Sequence, residues 1–150
     1  MGENQYLAGG YTELAGGYTE LAGGYTEEDV NTATPMQLIV ILYDTAIRAC
    51  EEACSCMERK DISGLNQSID KCSAVISELQ TSLNLKEGGE IAKSLNNLYD
   101  YIKANMRRAG AELKSDLIVE VRGLLENLGS AWRQAGSDGG TDTPAQAGSH

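Results

Sequence analysis

Apolar positions recur at helical spacing along most of this chain. The cleanest run is Ile62, Leu65, Ile69, Cys72, Ile76, Leu79 and Leu83, which steps alternately by three and four. That spacing keeps the side chains on one face and predicts an amphipathic helix of about 24 residues. A broader apolar face precedes it, with Leu38, Ile39, Leu42, Tyr43, Ala46, Ala49, Cys50, Ala53 and Met57. It predicts a helix from about Pro35 to Arg59. Thr34 suits the N-cap, and Pro35 suits the first helical position, where its missing N–H costs nothing. Gly88-Gly89 signals a turn. A third stripe follows at Ile91, Leu95, Leu98, Ile102, Met106 and Ala109 and continues past Gly110 toward Leu113. Ser115 or Asp116 is expected to cap a fourth helix, with its stripe at Leu117, Val121, Leu124, Leu128, Ala131 and Ala135.

A helix with one main apolar face is not stable alone. Four helices of about 20–25 residues, each roughly 30–37 Å long and joined by short connections, bury those faces most economically together. The expected fold is all-α, an antiparallel up-and-down four-helix bundle. No proline interrupts the stretch between Pro35 and Pro144, as long helices require. Burying one large aliphatic side chain contributes about 1.5–3 kcal/mol. About twenty such positions offset the chain entropy without a disulfide or a metal.

The charge divides the chain further. The formal net charge is −10, but it sits at the ends. Residues 1–30 carry Glu3, Glu13, Glu20, Glu27, Glu28 and Asp29 and no base, and residues 137–150 carry Asp138 and Asp142 and no base. The middle is nearly neutral, with interspersed signs typical of a solvated helical surface. Three segments are therefore expected: an acidic, flexible leader over 1–30, the bundle over 31–135, and a disordered tail over 136–150. With no basic surplus, nucleic acid is not an expected partner. The longest apolar run, Leu38 to Leu42, is far short of the roughly 20 residues of a membrane span. No signal-peptide pattern follows Met1.

The leader is repetitive. Tyr11-Thr12-Glu13-Leu14-Ala15-Gly16-Gly17 is copied without change at residues 18–24, and a third copy begins at Tyr25. A Gly-Gly pair in each period forbids a coiled coil, because each glycine costs about 1 kcal/mol in a helix. The leader is either a passive tether or a series of weak docking elements, each offering a Tyr and a Leu.

Candidate chemistry is sparse. The one histidine is His150, the last residue, so histidine catalysis is not expected, nor any cofactor or enzymatic activity. Cys50, Cys54, Cys56 and Cys72 make a redox- or metal-responsive helical protein the alternative reading. No Cys-x-x-Cys pair supports it, and free cysteine behaves as a small buried hydrophobe in a reducing cytosol. What remains is surface. Leu38–Leu42, Leu98 to Ile102, Leu117-Ile118 and Leu124-Leu125 are apolar on more faces than a one-sided helix needs. Either the core is two-sided or an apolar groove is open to a partner.

Tyr25, then Val30-Asn31-Thr32-Ala33-Thr34-Pro35, Leu38 and Leu42-Tyr43-Asp44, resembles the signature of the flagellin-specific export chaperone family, FliS. Asn97-Leu98-Tyr99-Asp100-Tyr101 and the run from Glu120-Val121 to Ala131-Trp132 agree in order and spacing. The resemblance covers about residues 25–135. It implies a cytoplasmic four-helix chaperone that binds the disordered C-terminal segment of flagellin and prevents premature polymerisation. It further implies help in export through the flagellar type III apparatus, with the export-gate membrane protein as a further contact of the complex. It also implies that the N-terminal segment folds back over part of the binding surface. Carried over by position, the binding residues are Tyr25 and Val30 in the movable segment, with Leu42, Tyr43, Asp44, Leu98, Tyr101, Ile102, Leu125 and Trp132 lining or supporting the groove. The signature glycine after the Asp is Thr45 here.

Overall fold

A reciprocal cap starts the first helix. Thr34 Oγ1 accepts from the Gln37 N–H at 3.1 Å, and Gln37 Oε1 accepts from the Thr34 N–H at 2.8 Å, satisfying two N–H groups that no helical carbonyl can reach. In the computed structural model, which describes residues 34–83 and 85–137, this helix is α1, Pro35–Glu58. It is followed by α2 (Ile62–Ser82), α3 (Leu85–Glu112) and α4 (Ser115–Ser137). No strand occurs among the described residues. The expected leader over 1–30 and all but the first two residues of the expected tail lie outside them.

The connections are tight. Lys60 closes α1 in the left-handed region at φ 60°, while the Asp61 N–H donates to Cys56 O at 2.8 Å and the Lys60 N–H to Met57 O at 3.1 Å. These bonds satisfy the last carbonyls of α1. Asp61 then caps α2 by accepting from the Gly64 N–H at 3.0 Å. Leu113, at φ 56°, plays the part of Lys60 between α3 and α4. Gly89 does break the helical path, at φ 62° and ψ −141°, a conformation that glycine adopts without steric cost. The break lies inside α3, however. The connection from α2 falls earlier, where Leu83 turns extended, so α3 begins at Leu85 and not near Ile91. The expected cap of α4 is also displaced: Ser115 is already its first residue and Asp116 stands in its first turn, where a carboxylate favours the exposed N–H groups.

Cross-helix bonds fix the direction of packing. Gln80 of α2 donates to Asp100 of α3 at 2.7 Å, and Lys103 of α3 to Ser77 of α2 at 3.2 Å. Moving back along α2 moves forward along α3, so the two are antiparallel. Asp44 pairs with Arg133 and Glu51 with Arg122 (the latter at 3.1 Å), which sets α1 antiparallel to α4. The helices form a ring in which α1 touches α2 and α4, and α3 touches the same two. The α1 contacts are extensive. The α3–α4 contact is the sparsest of the four.

The core runs the length of the ring. Leu42, Ala46, Cys50 and Ala53 of α1 meet Leu65, Cys72, Val75 and Ile76 of α2, with Ile102, Met106, Ile118, Val121 and Leu125 from the other pair. Tyr43 and Tyr99 join α1 to α3 across the middle, hydroxyl to hydroxyl at 2.5 Å. The α2 stripe is buried from Leu65 to Leu83, while its first member, Ile62, is 49 % exposed. The stripes of α3 and α4 are rotated from expectation. Their interior faces are Ala92, Leu95, Tyr99, Ile102, Met106 and Ala109 on α3, and Ile118, Val121, Leu125, Trp132 and Ala135 on α4.

Candidate partner-binding site

The rotation leaves apolar side chains over. Ile91 and Leu98 of α3, and Leu117, Leu124 and Leu128 of α4, are only partly buried against the core. On α3, Asn96, Asp100 and Lys103 make the bonds to α2, so Ile91 and Leu98 lie on the opposite flank. On α4, Arg122 and Arg133 reach α1, and a Cβ on Gly129 would sit 3.4 Å from Tyr43 Cβ. Leu117, Leu124 and Leu128 therefore lie on the flank turned to α3. The two flanks meet along the sparsest contact in the ring and form a seam of half-covered aliphatic side chains. Tyr101, itself 45 % exposed, closes over it by donating its hydroxyl to Glu120. Three of the four large exposed apolar side chains among the described residues, Tyr101, Leu113 and Val119, belong to this α3–α4 hairpin.

The residues carried over from the family signature fall into three groups. Leu98 and Tyr101 stand on the seam. Leu42, Tyr43, Ile102, Leu125 and Trp132 are all in the interior, none more than 2 % exposed. They lie beneath the seam and do not line it. Asp44, half-buried, pairs with Arg133 and ties α1 to α4. Tyr25 and Val30 lie outside the described residues. Thr45, where the signature has glycine, is buried, and its hydroxyl donates to Ile41 O at 2.8 Å, so the larger side chain is accommodated with its polar atom satisfied. The residues carried over from the signature do not include Leu117, Leu124 and Leu128, which stand on the seam. The signal for Leu117 and Leu124 was the doubled apolar pairs Leu117-Ile118 and Leu124-Leu125, which supply one member to the core and one to the flank.

The tyrosine pair explains why the supports are polar at one point. Burial pushes the Tyr43 hydroxyl up to about 12, with the Tyr99 hydrogen bond pulling the other way. Tyr99 is also raised, chiefly by burial. Both rings stay neutral at physiological pH and serve as a fixed link. Trp132 Nε1 approaches Tyr43 without completing a hydrogen bond.

Elsewhere the surface offers less. A cavity of about 420 Å³ between α1 and α2 is lined by Thr45, Arg48, Ala49, Glu51, Glu52, Ser68 and Lys71. It is walled by charges of both signs and contains none of the half-buried leucines. Among the described residues no group of three or more His, Cys, Asp or Glu could hold a metal ion. Cys50, Cys56 and Cys72 are buried, and the Cys50 thiol is pushed up by its contact with Cys72 and by burial. A thiol held protonated is a poor nucleophile and ligand, so no observation favours the redox- or metal-responsive reading. No described helix is long and apolar enough to cross a membrane.

The sequence profile of the flagellar protein FliS family matches residues 18–139. This chain belongs to the FliS family. The flagellar secretion chaperone FliS of Salmonella typhimurium is 36 % identical over 109 residues, covering 72 % of this chain and 81 % of that protein. FliS of Bacillus subtilis is 30 % identical over 109 residues, covering 73 % and 80 %. FliSB of Pseudomonas aeruginosa, also named a flagellar secretion chaperone, is 32 % identical over 106 residues, covering 71 % and 84 %. The profile reaches back to Tyr18, so in this member of the FliS family it takes in the second full copy of the leader repeat. It extends forward past Trp132 and spans the whole α3–α4 seam.

Proposed function

We propose that this FliS-family chain is a stoichiometric chaperone for flagellin in the cytoplasm. It binds the disordered C-terminal segment of flagellin along the α3–α4 seam, blocks premature polymerisation, and assists delivery to the flagellar type III export apparatus. The export-gate membrane protein is the next contact of the loaded complex. The observation that carries this reading is the seam itself. Ile91, Leu98, Leu117, Leu124 and Leu128 are half-covered side by side, so a foreign apolar face gains area there without displacing the core. Ordering a disordered segment on binding offsets part of that gain and leaves the complex releasable without ATP. Asp44, Tyr43 and Trp132 support the reading indirectly, by holding α4 on α1 while the other flank of α4 stays open. The leader, with Tyr25 and Val30, competes for the same seam.

Calorimetry with the C-terminal segment of the host's flagellin, set against an N-terminal segment as control, is the deciding test. Saturable one-to-one binding of the C-terminal segment alone is expected. Equal or absent binding of both segments overturns the reading.

A further inference from the structure

Across the ring from the α3–α4 seam, α1 meets α2, and the cavity of about 420 Å³ opens between them. Most of its polar wall is already paired within the protein. Glu51 binds Arg122 at 3.1 Å, Glu52 binds Arg59 at 3.4 Å, and Thr45 Oγ1 donates to Ile41 O at 2.8 Å. Arg48 is engaged as well. Two groups are left over, and both come from α2.

The first is the Ser68 hydroxyl. A serine or threonine inside a helix can satisfy its hydroxyl on the carbonyl four residues back, as Thr45, Thr81 and Ser82 do. Ser68 does not, although it is only 8 % exposed, and its side chain bonds to no described residue. A polar group that gives up water without gaining a partner keeps its desolvation cost. The hydroxyl is not sealed away, however. Among the described residues, the unpartnered side-chain polar atoms shut off from solvent are Asn105 Nδ2 and Trp132 Nε1, so Ser68 Oγ is open to the cavity that it lines. The second group is Lys71, half-buried and without an ion pair to any described residue. Three residues apart on one helix, Ser68 and Lys71 are neighbours on the same flank.

The wall selects what these two donors take. Glu51 and Glu52 are balanced by Arg122 and Arg59, so a doubly charged anion such as sulfate brings more negative charge than Lys71 alone offsets. A carboxylate brings one charge, and its two oxygens accept from an ammonium and a hydroxyl together. The cavity is much larger than that group, which leaves room beside Ala49 for the short chain that carries it. We propose that the α1–α2 cavity is a carboxylate-binding site, in which Lys71 pairs with the anion and Ser68 donates a hydrogen bond to it. The site uses no part of the seam and stands apart from the flagellin reading. A lone ion pair in a half-open site is weak, so a free carboxylate binds with a dissociation constant on the order of 1–10 mM. That strength also serves an acidic side chain on a tethered or docked polypeptide, whose effective concentration is itself millimolar.

The test titrates the full chain, followed by amide NMR, with propionate and, at matched ionic strength, with sulfate. A second arm uses a peptide of residues 11–24 with both ends blocked, whose carboxylates are Glu13 and Glu20. Propionate is expected to move the amide signals of Thr45, Ala49, Ser68 and Lys71 saturably and to leave those of Leu98 and Leu124 in place. Lys71→Gln should abolish the shifts. Ser68→Ala should weaken binding by at least about threefold without lowering the unfolding temperature, because alanine is the better helix former and the unpartnered hydroxyl is gone. A variant that is as stable and binds less well cannot be explained as a folding defect. Propionate binding with no response to the peptide supports the site and assigns it to small free acids. Displacement of propionate by the peptide supports it and assigns it to acidic side chains of a polypeptide. No saturable shift from either probe, shifts that persist in Lys71→Gln, or sulfate binding as well as propionate overturns the proposal.

Discussion

The two sides of α1 and the facing flanks of α3 and α4 are built from the same kinds of residue and are finished differently. Around α1, Leu42, Tyr43, Ala46, Cys50 and Ala53 are sealed completely, and ion pairs from Asp44 and Glu51 to Arg133 and Arg122 close the outer edge toward α4. Along α3–α4, leucines of equal hydrophobicity stop half-covered, with one tyrosine–glutamate bond across them. Sealed and half-covered apolar area are therefore separated in space. The α1 side covers its apolar area completely, and the facing flanks of α3 and α4 leave part of theirs uncovered.

That division is broken most directly by comparing truncations. Leu42→Ala is expected to cost about 2–5 kcal/mol in urea unfolding, as a fully buried leucine does. If Leu98→Ala or Leu124→Ala costs as much, the seam is core and the division is false. A smaller effect comes from alkaline titration. Burial pushes the Tyr43 hydroxyl up to about 12 from an ordinary value of 10.0, so the unfolded chain loses that proton first. The contribution is intact below about pH 10 and is lost as pH rises toward 12, for a total of roughly 2–3 kcal/mol. Cys50, raised by Cys72 and burial from an ordinary value of 9.0, acts in the same direction from a lower pH. Unfolding free energy followed by circular dichroism from pH 8 to 12 should fall progressively, and Tyr43→Phe should flatten the upper part of the decline. A flat profile in the wild type would show that the tyrosine pair is not sealed.

Smaller still in stability, and larger in function, is the pair Leu98→Ala with Leu124→Ala. We expect a loss of about 1 kcal/mol or less for each in stability, because each is only partly buried. Together they should lower affinity for the flagellin segment by at least about tenfold. The smallest effect expected is on the leader. Deleting residues 6–24 removes the copies at Tyr11 and Tyr18 and should tighten flagellin binding by a few-fold, because tethered competitors at high local concentration are gone. Unchanged affinity would make the repeat a passive tether.

Four helices, their approximate limits and the Thr34-Pro35 start were legible because periodicity and capping are properties of one segment and its immediate neighbours. Even the doubled pairs Leu117-Ile118 and Leu124-Leu125 announced that α4 had more apolar surface than one face holds. The signature carried Tyr43, Trp132 and Leu125 over to the site, and the structure buries all three beneath the seam. Residues that matter to a groove's shape and residues that touch its occupant leave the same apolar mark in a sequence. The burial of Asn105 left no mark, since an asparagine in a helix reads as solvated until its neighbours are known.

The sequence by itself determined the helices, the separation of an acidic leader from a nearly neutral bundle, and membership of a chaperone family. It did so because helical periodicity, charge and motif order are one-dimensional. Which flank of α3 and α4 is sealed, and which stays half-open, was decided only by the ring of neighbours. Each helix can turn about its own axis by a fraction of a residue's angle at little local cost. The Tyr43–Tyr99 link and the α1–α4 ion pairs hold the rotation at which Ile118 and Leu125 go in and Leu117 and Leu124 remain for something else to cover.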